Sequence, residues 1–116
     1  MLIETKALGF SLTEAIQRHV DSRIETALGP FAQALGSVTV RLQDVNANRG
    51  GDDKRCSVVV TLRRRGVVTA EETHADLYVA IDTVAHRLRR AVKRAVKRHL
   101  SRERKDPQRP GALVTM

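Results

Sequence analysis

Hydrophobic positions along this chain follow two rhythms, and the alternation between them predicts its elements. Residues 2–8, LIETKAL, mix apolar and polar positions in a short run ended by Gly9, which predicts a first strand. In SLTEAIQRHVDSRIETALGPF, apolar Leu12, Ile16, Val20, Ile24, Ala27, Leu28 and Phe31 recur every three or four residues. That spacing gathers them on one helical face, with Ser11 and Glu14 at capping-box separation and Gly29-Pro30 as the stop. Period-two alternation then takes over in SVTVRLQDV, where Val38, Val40 and Leu42 interleave with Thr39, Arg41 and Gln43, as on a strand buried on one side. NANRGGDD, residues 46–53, has nothing to bury and predicts a flexible loop. KRCSVVVTLRRR and VVTAEETHA are β-branched runs parted near Arg65-Gly66, the spacing of a hairpin.

Asp76 then stands where a carboxylate can accept a first-turn N–H and face the positive end of a helix dipole. The helix it opens is expected from about 77 to 100 or slightly beyond. At 100° per residue, Leu77, Ile81, Val84, Leu88, Val92 and Ala95 form a narrow apolar stripe, with Arg87, Arg90, Lys93, Arg94, Lys97 and Arg98 opposite. The predicted order is β-α-β-β-β-α. Packing both amphipathic helices on one face of a four-stranded sheet satisfies every pattern at once, an α+β two-layer sandwich. One domain is expected over 1–105, and the aperiodic, proline-containing residues 106–116 predict a disordered tail.

A chain of 116 residues is long enough for one core. Its only aromatic carbocycles are Phe10, Phe31 and Tyr78, so the core must be aliphatic and base-stacking platforms are not expected. Charge changes the picture more. The net charge is +8, and residues 63–116 hold fourteen basic and six acidic side chains where 1–62 hold seven of each. A localised basic surface attracts polyanions. HRLRRAVKRAVKRHLSRERK, residues 86–105, contains ten Lys or Arg and one Glu, with no acid between Arg87 and Arg98. Like charges at i,i+4 repel by a few tenths of a kcal/mol per pair, where a solvated face would mix signs. The missing anion is read as a partner facing roughly 16 Å of helix. Arg predominates over Lys between 86 and 98, and guanidinium forks suit phosphate, which favours nucleic acid over lipid. A membrane-surface helix would also want bulky side chains such as Trp or Phe on its apolar side, which here carries residues fit for packing onto a sheet. Arg63, Arg64 and Arg65, at the end of the hairpin, are expected to extend the patch. Phosphate contact dominates binding to DNA and RNA alike, so composition does not separate them.

Catalytic chemistry finds no foothold. His19, His74, His86 and His99 make no metal-binding or catalytic spacing, and RGG at 49–51 is not a phosphate loop. Cys56, the sole cysteine, leaves no intramolecular disulfide and reads as a small buried hydrophobe on a strand. No enzyme, cofactor, metal or small-molecule substrate is expected. Glu4 and Lys6 interrupt any signal-peptide core, and no apolar run is long enough to span a bilayer, so a cytoplasmic protein off the membrane is expected.

HADLYVAIDTVAHRLRRAVKR, with Asp76, Tyr78, Ala80, Ile81 and Asp82 leading into Arg87, Leu88 and Arg90, resembles the signature of the ribosome hibernation-promoting factor and ribosome-associated inhibitor family, the sigma-54 modulation proteins. The resemblance covers about residues 2–100 and is to short-type members, without the additional domain by which long members pair ribosomes. It implies a fold similar to the double-stranded-RNA-binding domain, lodged in the decoding channel of the small ribosomal subunit. There it would block translation and protect idle ribosomes under stress or in stationary phase. By position it assigns rRNA contacts to Arg87, Arg90, Lys93, Arg94, Lys97 and Arg98. Asp76, Tyr78 and Asp82 match the motif; Asp76 is better explained as a cap, and Tyr78 equally well as an anchor of the helix to the sheet. The chain departs from the family pattern at His86 and Ala91. A generic RNA- or DNA-binding module, and an interaction module docking an acidic protein, are the competing readings, and a homodimer is compatible with the sequence.

Overall fold

The structure, a computed structural model, describes residues 2–45, 53–64 and 66–105; Arg65, the tail at 106–116 and all but the last residue of the predicted loop lie outside the described residues. The elements follow in the order β1 (Ile3–Leu8), α1 (Glu14–Leu28), a 3₁₀ segment (Gly29–Ala34), β2 (Leu35–Asp44), β3 (Lys54–Leu62), β4 (Val67–His74) and α2 (Leu77–Lys105). The sheet order is β1-β2-β3-β4. β1 and β2 are parallel, joined by the α1 crossover, and the other two pairs are antiparallel. This is the expected α+β two-layer sandwich.

Two boundaries differ from the sequence pattern. Thr13, not Ser11, caps α1: its hydroxyl accepts the N–H of Ile16 at 3.2 Å. The hydroxyl of a residue directly ahead of the first turn reaches an orphan N–H that one two residues earlier does not. Gly29-Pro30 does end the α-helix, but the chain then tightens into the 3₁₀ segment, where Pro30 sits in the first turn without forfeiting a needed N–H.

Strand alternation places Val38, Val40 and Leu42 of β2 in register with Val60, Val58 and Cys56 of β3, all buried. Helix α1 lays Val20, Ile24, Ala27 and Leu28 on this surface, and α2 adds Leu77, Ala80, Ile81, Val84, Ala85, Leu88 and Val92. The core is almost wholly aliphatic, as the shortage of aromatics requires. Ala95, predicted in the α2 stripe, is only half-buried, and among the described side chains of α2 the last fully buried one is Val92. Val96, one turn further on, still packs partly buried against the core, and helix α2 continues for about two and a half turns after it. Gly66 turns the β3–β4 hairpin with φ +111°, a backbone conformation that disfavours a Cβ. Its carbonyl accepts the N–H of Leu62 at 3.0 Å.

Candidate nucleic-acid interface

Helix α2 starts from a built cap. Asp76 Oδ1 accepts the N–H of Tyr78 at 2.9 Å, and the N–H of Asp76 itself donates to His74 Nδ1 at 2.9 Å. The carboxylate satisfies one of the orphan donors of the first turn and faces the positive end of the dipole. Asp76 is thus a cap, as its position suggested.

One turn later α2 is tied to α1. Asp82 Oδ1 accepts from His19 Nε2 at 2.8 Å and from Arg23 Nε at 3.1 Å. The Tyr78 ring meets the His19 ring edge-on, with centroids 4.8 Å apart and planes 80° from each other. Tyr78 and Asp82, the two motif residues without an obvious task in the sequence, therefore form with His19 and Arg23 a clasp between the helices. Tyr78 anchors the helix against α1 rather than against the sheet.

Arg87 ties α2 to the other side. Its Nη1 lies 2.7 Å from Glu72 Oε1 and donates to the Glu71 carbonyl at 2.9 Å. With both bonds made to β4, Arg87 is, among the described residues, the one cation of the predicted stripe already engaged by the fold. A half-exposed pair of this kind is worth only a few tenths to about 1 kcal/mol, so the bond orients the side chain more than it stabilises the fold.

Beyond Arg87 the arrangement changes. Arg90, Lys93, Arg94, Lys97 and Arg98 are exposed, and no ion pair or side-chain hydrogen bond engages them among the described residues. They recur every three or four residues on the side turned from the sheet. Each successive pair thus advances about one 5.4 Å turn. Arg98 still lies roughly two turns from the helix C-terminus, too far for the dipole to offset the mutual repulsion of the stripe. Arg89, absent from the predicted stripe, is exposed and unengaged as well. Its helical angle, shared with Asp82 to within about 20°, sets it on the flank toward α1. Arg89 lies about 100° from the centre of the apolar stripe, as far as Arg87 does on the other flank, so the same arc applied to both flanks would have included it.

Topology decides where the hairpin arginines lie. β4 and β1 point the same way, so α1 and α2 both start from one end of the sheet and run to the other, where the β3–β4 hairpin and the 3₁₀ segment sit. Helix α2 touches the 3₁₀ segment there. Arg63 and Arg64 are exposed at that end. Arg63 Nε donates to the Leu35 carbonyl at 3.2 Å and its N–H to the Ala34 carbonyl at 2.9 Å, so part of its guanidinium closes the β2–β3 end. Arg64 also has an interaction partner, and Arg65 lies outside the described residues.

Catalytic candidates find no cluster. Cys56 is fully buried on β3, and burial pushes its thiol up to about 12, where it is neither nucleophile nor ligand at neutral pH. Among the described residues no group of three or more His, Cys, Asp or Glu side chains is placed to hold a metal, and no helix is long and apolar enough to cross a membrane.

Comparison with known proteins places these features. Residues 3–100 match the family described as Sigma 54 modulation protein / S30EA ribosomal protein. A curated relative, the chloroplastic ribosome-binding factor PSRP1 of Spinacia oleracea, is 28% identical over 89 residues, which is 72% of this chain and 28% of the relative's length. The chain thus spans less than a third of that protein. The N-terminal domain of Thermus thermophilus Protein Y superposes with a TM-score of 0.66 at 29% identity, covering 81% of this chain and 98% of that one. A ribosomal subunit interface protein from Coxiella burnetii shares the fold, with a TM-score of 0.69 at 15% identity over 83% of this chain and 99% of that one.

Proposed function

The chain belongs to the Sigma 54 modulation protein / S30EA ribosomal protein family, and on that premise we propose that it is a ribosome hibernation factor. It binds small-subunit rRNA in the decoding channel, blocks translation by occupying the channel, and protects idle ribosomes under stress or in stationary phase. The role is binding without a chemical step. One observation carries the reading: the unengaged stripe Arg90, Lys93, Arg94, Lys97 and Arg98 on a helix whose other face is locked into the core. Cations on a rigid helix release counterions from RNA on contact and lose little side-chain and backbone freedom beyond their own rotamers. Arg87, held by Glu72, contributes less than its neighbours, because a phosphate must compete with an existing carboxylate. Arg63 and Arg64 lie at the end toward which the stripe runs and lengthen it.

The test is sucrose-gradient sedimentation of the purified protein with ribosomes and separated subunits at physiological salt, with excess transfer RNA as competitor. Saturable co-sedimentation with small subunits or whole ribosomes is expected. Binding spread evenly over any RNA would leave a general RNA-binding module, for which an acid-free stripe suffices. Absence of binding would redirect the stripe to an acidic protein partner.

A further inference from the structure

Both helices pack on one side of the sheet, which leaves its other side open. Strand parity places Lys6 of β1, Arg41 of β2, and Arg55 and Ser57 of β3 on that open side, because their neighbours Ala7, Leu42, Cys56 and Val58 face the helices. The register brings three of these charges together. Lys6 lies directly opposite Arg41, and Arg55 is diagonal to Arg41, one pair along the ladder from the Arg41–Ser57 pairing.

Two features of this patch are left uncompensated by the fold. Like charges directly opposite on neighbouring strands destabilise a sheet, and among the described residues neither Lys6 nor Arg41 has an acidic partner. Arg55 Nε is buried without a hydrogen-bond partner, the one such side-chain atom among those described. A cation on an edge strand is commonly explained as protection against strand addition. That accounts for Lys6 on β1, but Arg41 and Arg55 stand on the two inner strands. The acids of the open side, Glu4 and Glu71, are on the two edge strands, diagonal to Arg41 and Arg55, and among the described residues neither forms an ion pair with these cations.

The rest of the open side narrows the ligand. Thr39, Gln43, Ser57, Thr69 and Thr73 are hydroxyl or amide side chains in the rows around the cations. Hydroxyls, amides, Arg and Lys are the groups that contact phosphate and sugar in nucleic-acid complexes. No Phe, Tyr or Trp lies on these strands, so the open side offers no large aromatic platform for bases to stack on. Of the exposed apolar residues on these strands, Leu8 stands apart, and Val59 and Val67 are diagonal neighbours whose two small side chains fall short of a patch for an apolar partner.

We propose that the open sheet face, centred on Lys6, Arg41 and Arg55, is a second RNA-backbone site, so that the domain is held between two segments of rRNA, one on α2 and one on the sheet. This rests on the ribosome-binding reading above and extends it to the opposite side of the domain.

The test compares a sheet variant, Lys6→Glu with Arg41→Glu, and a helix variant, Arg90→Glu with Lys93→Glu, by equilibrium binding to small subunits and hydroxyl-radical footprinting of their rRNA. All four positions are exposed, and the milder Lys6→Gln with Arg41→Gln guards against misfolding. The sheet variant is expected to bind about tenfold more weakly, with a log–log salt slope smaller by about two. It should lose one set of rRNA protections while keeping the set that the helix variant loses. A sheet variant that binds as tightly as wild type with every protection intact overturns the second site, and if the helix variant still loses binding the ribosome reading stands. If neither variant loses binding, both readings fall. A photo-crosslinker at Thr39 that captures a ribosomal protein instead of rRNA also overturns the RNA assignment.

Discussion

Helix α2 has two halves that treat charge in opposite ways. Up to Arg87 every charged side chain is engaged: Asp76 caps the helix, Asp82 holds His19 and Arg23 of α1, and Arg87 holds Glu72 and the Glu71 carbonyl of β4. From Arg89 to Arg98 none is engaged among the described residues. The first half fastens the helix on three sides, and the second half carries exposed cations on the outside of a helix that stays packed on the core through Leu88, Val92 and Val96. A charge is structural or available according to what stands opposite, and the residue type does not decide it.

The comparison breaks most severely from underneath. Leu88, fully buried at the junction of the two halves, supports both, and Leu88→Ala is expected to cost about 2–5 kcal/mol through lost transfer energy and a residual cavity. Urea denaturation measures this, and a cost under about 1 kcal/mol would mean the junction can collapse around the gap. Binding should fall only in step with the unfolded fraction.

Reversing Arg90, Lys93, Arg94 and Lys97 to Glu attacks the free half alone. Ribosome affinity is expected to fall about a hundredfold or more, and the log–log salt slope to shrink by roughly three to four. The melting temperature should stay within a few degrees of wild type, because no native partner is lost. Retained co-sedimentation would remove the stripe from the site.

Asp76→Ala attacks the fastened half, and the loss of a capping carboxylate is expected to cost about 1 kcal/mol. Ribosome affinity, measured well below the melting temperature, should stay within about twofold. A large loss of affinity with little loss of stability would show that the motif aspartate touches RNA after all.

The smallest effect sharpens the boundary between the halves. Arg87→Gln removes a half-exposed ion pair and is expected to cost less than about 1 kcal/mol. It should weaken ribosome binding less than Arg90→Gln does, in parallel titrations at one salt concentration. The reverse order would mean that Glu72 releases Arg87 to the RNA.

Much of this molecule was legible in the order of its residues. Alternation marked β2 and β3, three-and-four spacing marked both helices, and Gly66 marked the hairpin, because these patterns depend only on the periods of strand and helix. The exposed stripe from Arg90 to Arg98 followed from the same arithmetic. Boundaries were less legible: Ser11 and Thr13 are both good caps, and the choice between them depends on where the incoming chain turns.

What the sequence determined by itself is therefore whatever repeats locally: the elements, the core-facing positions, and a helix side with no acid on it. The tertiary structure alone decided which charges were already spent. His19 and Asp82 are 63 residues apart and Arg87 is 16 from Glu71, and no local period connects them. Lys6 and Arg41 became neighbours only when the α1 crossover laid β1 parallel to β2. Coulomb and hydrogen-bond energies depend on separation in space, and chain order sets that separation only within a turn of helix or a hairpin.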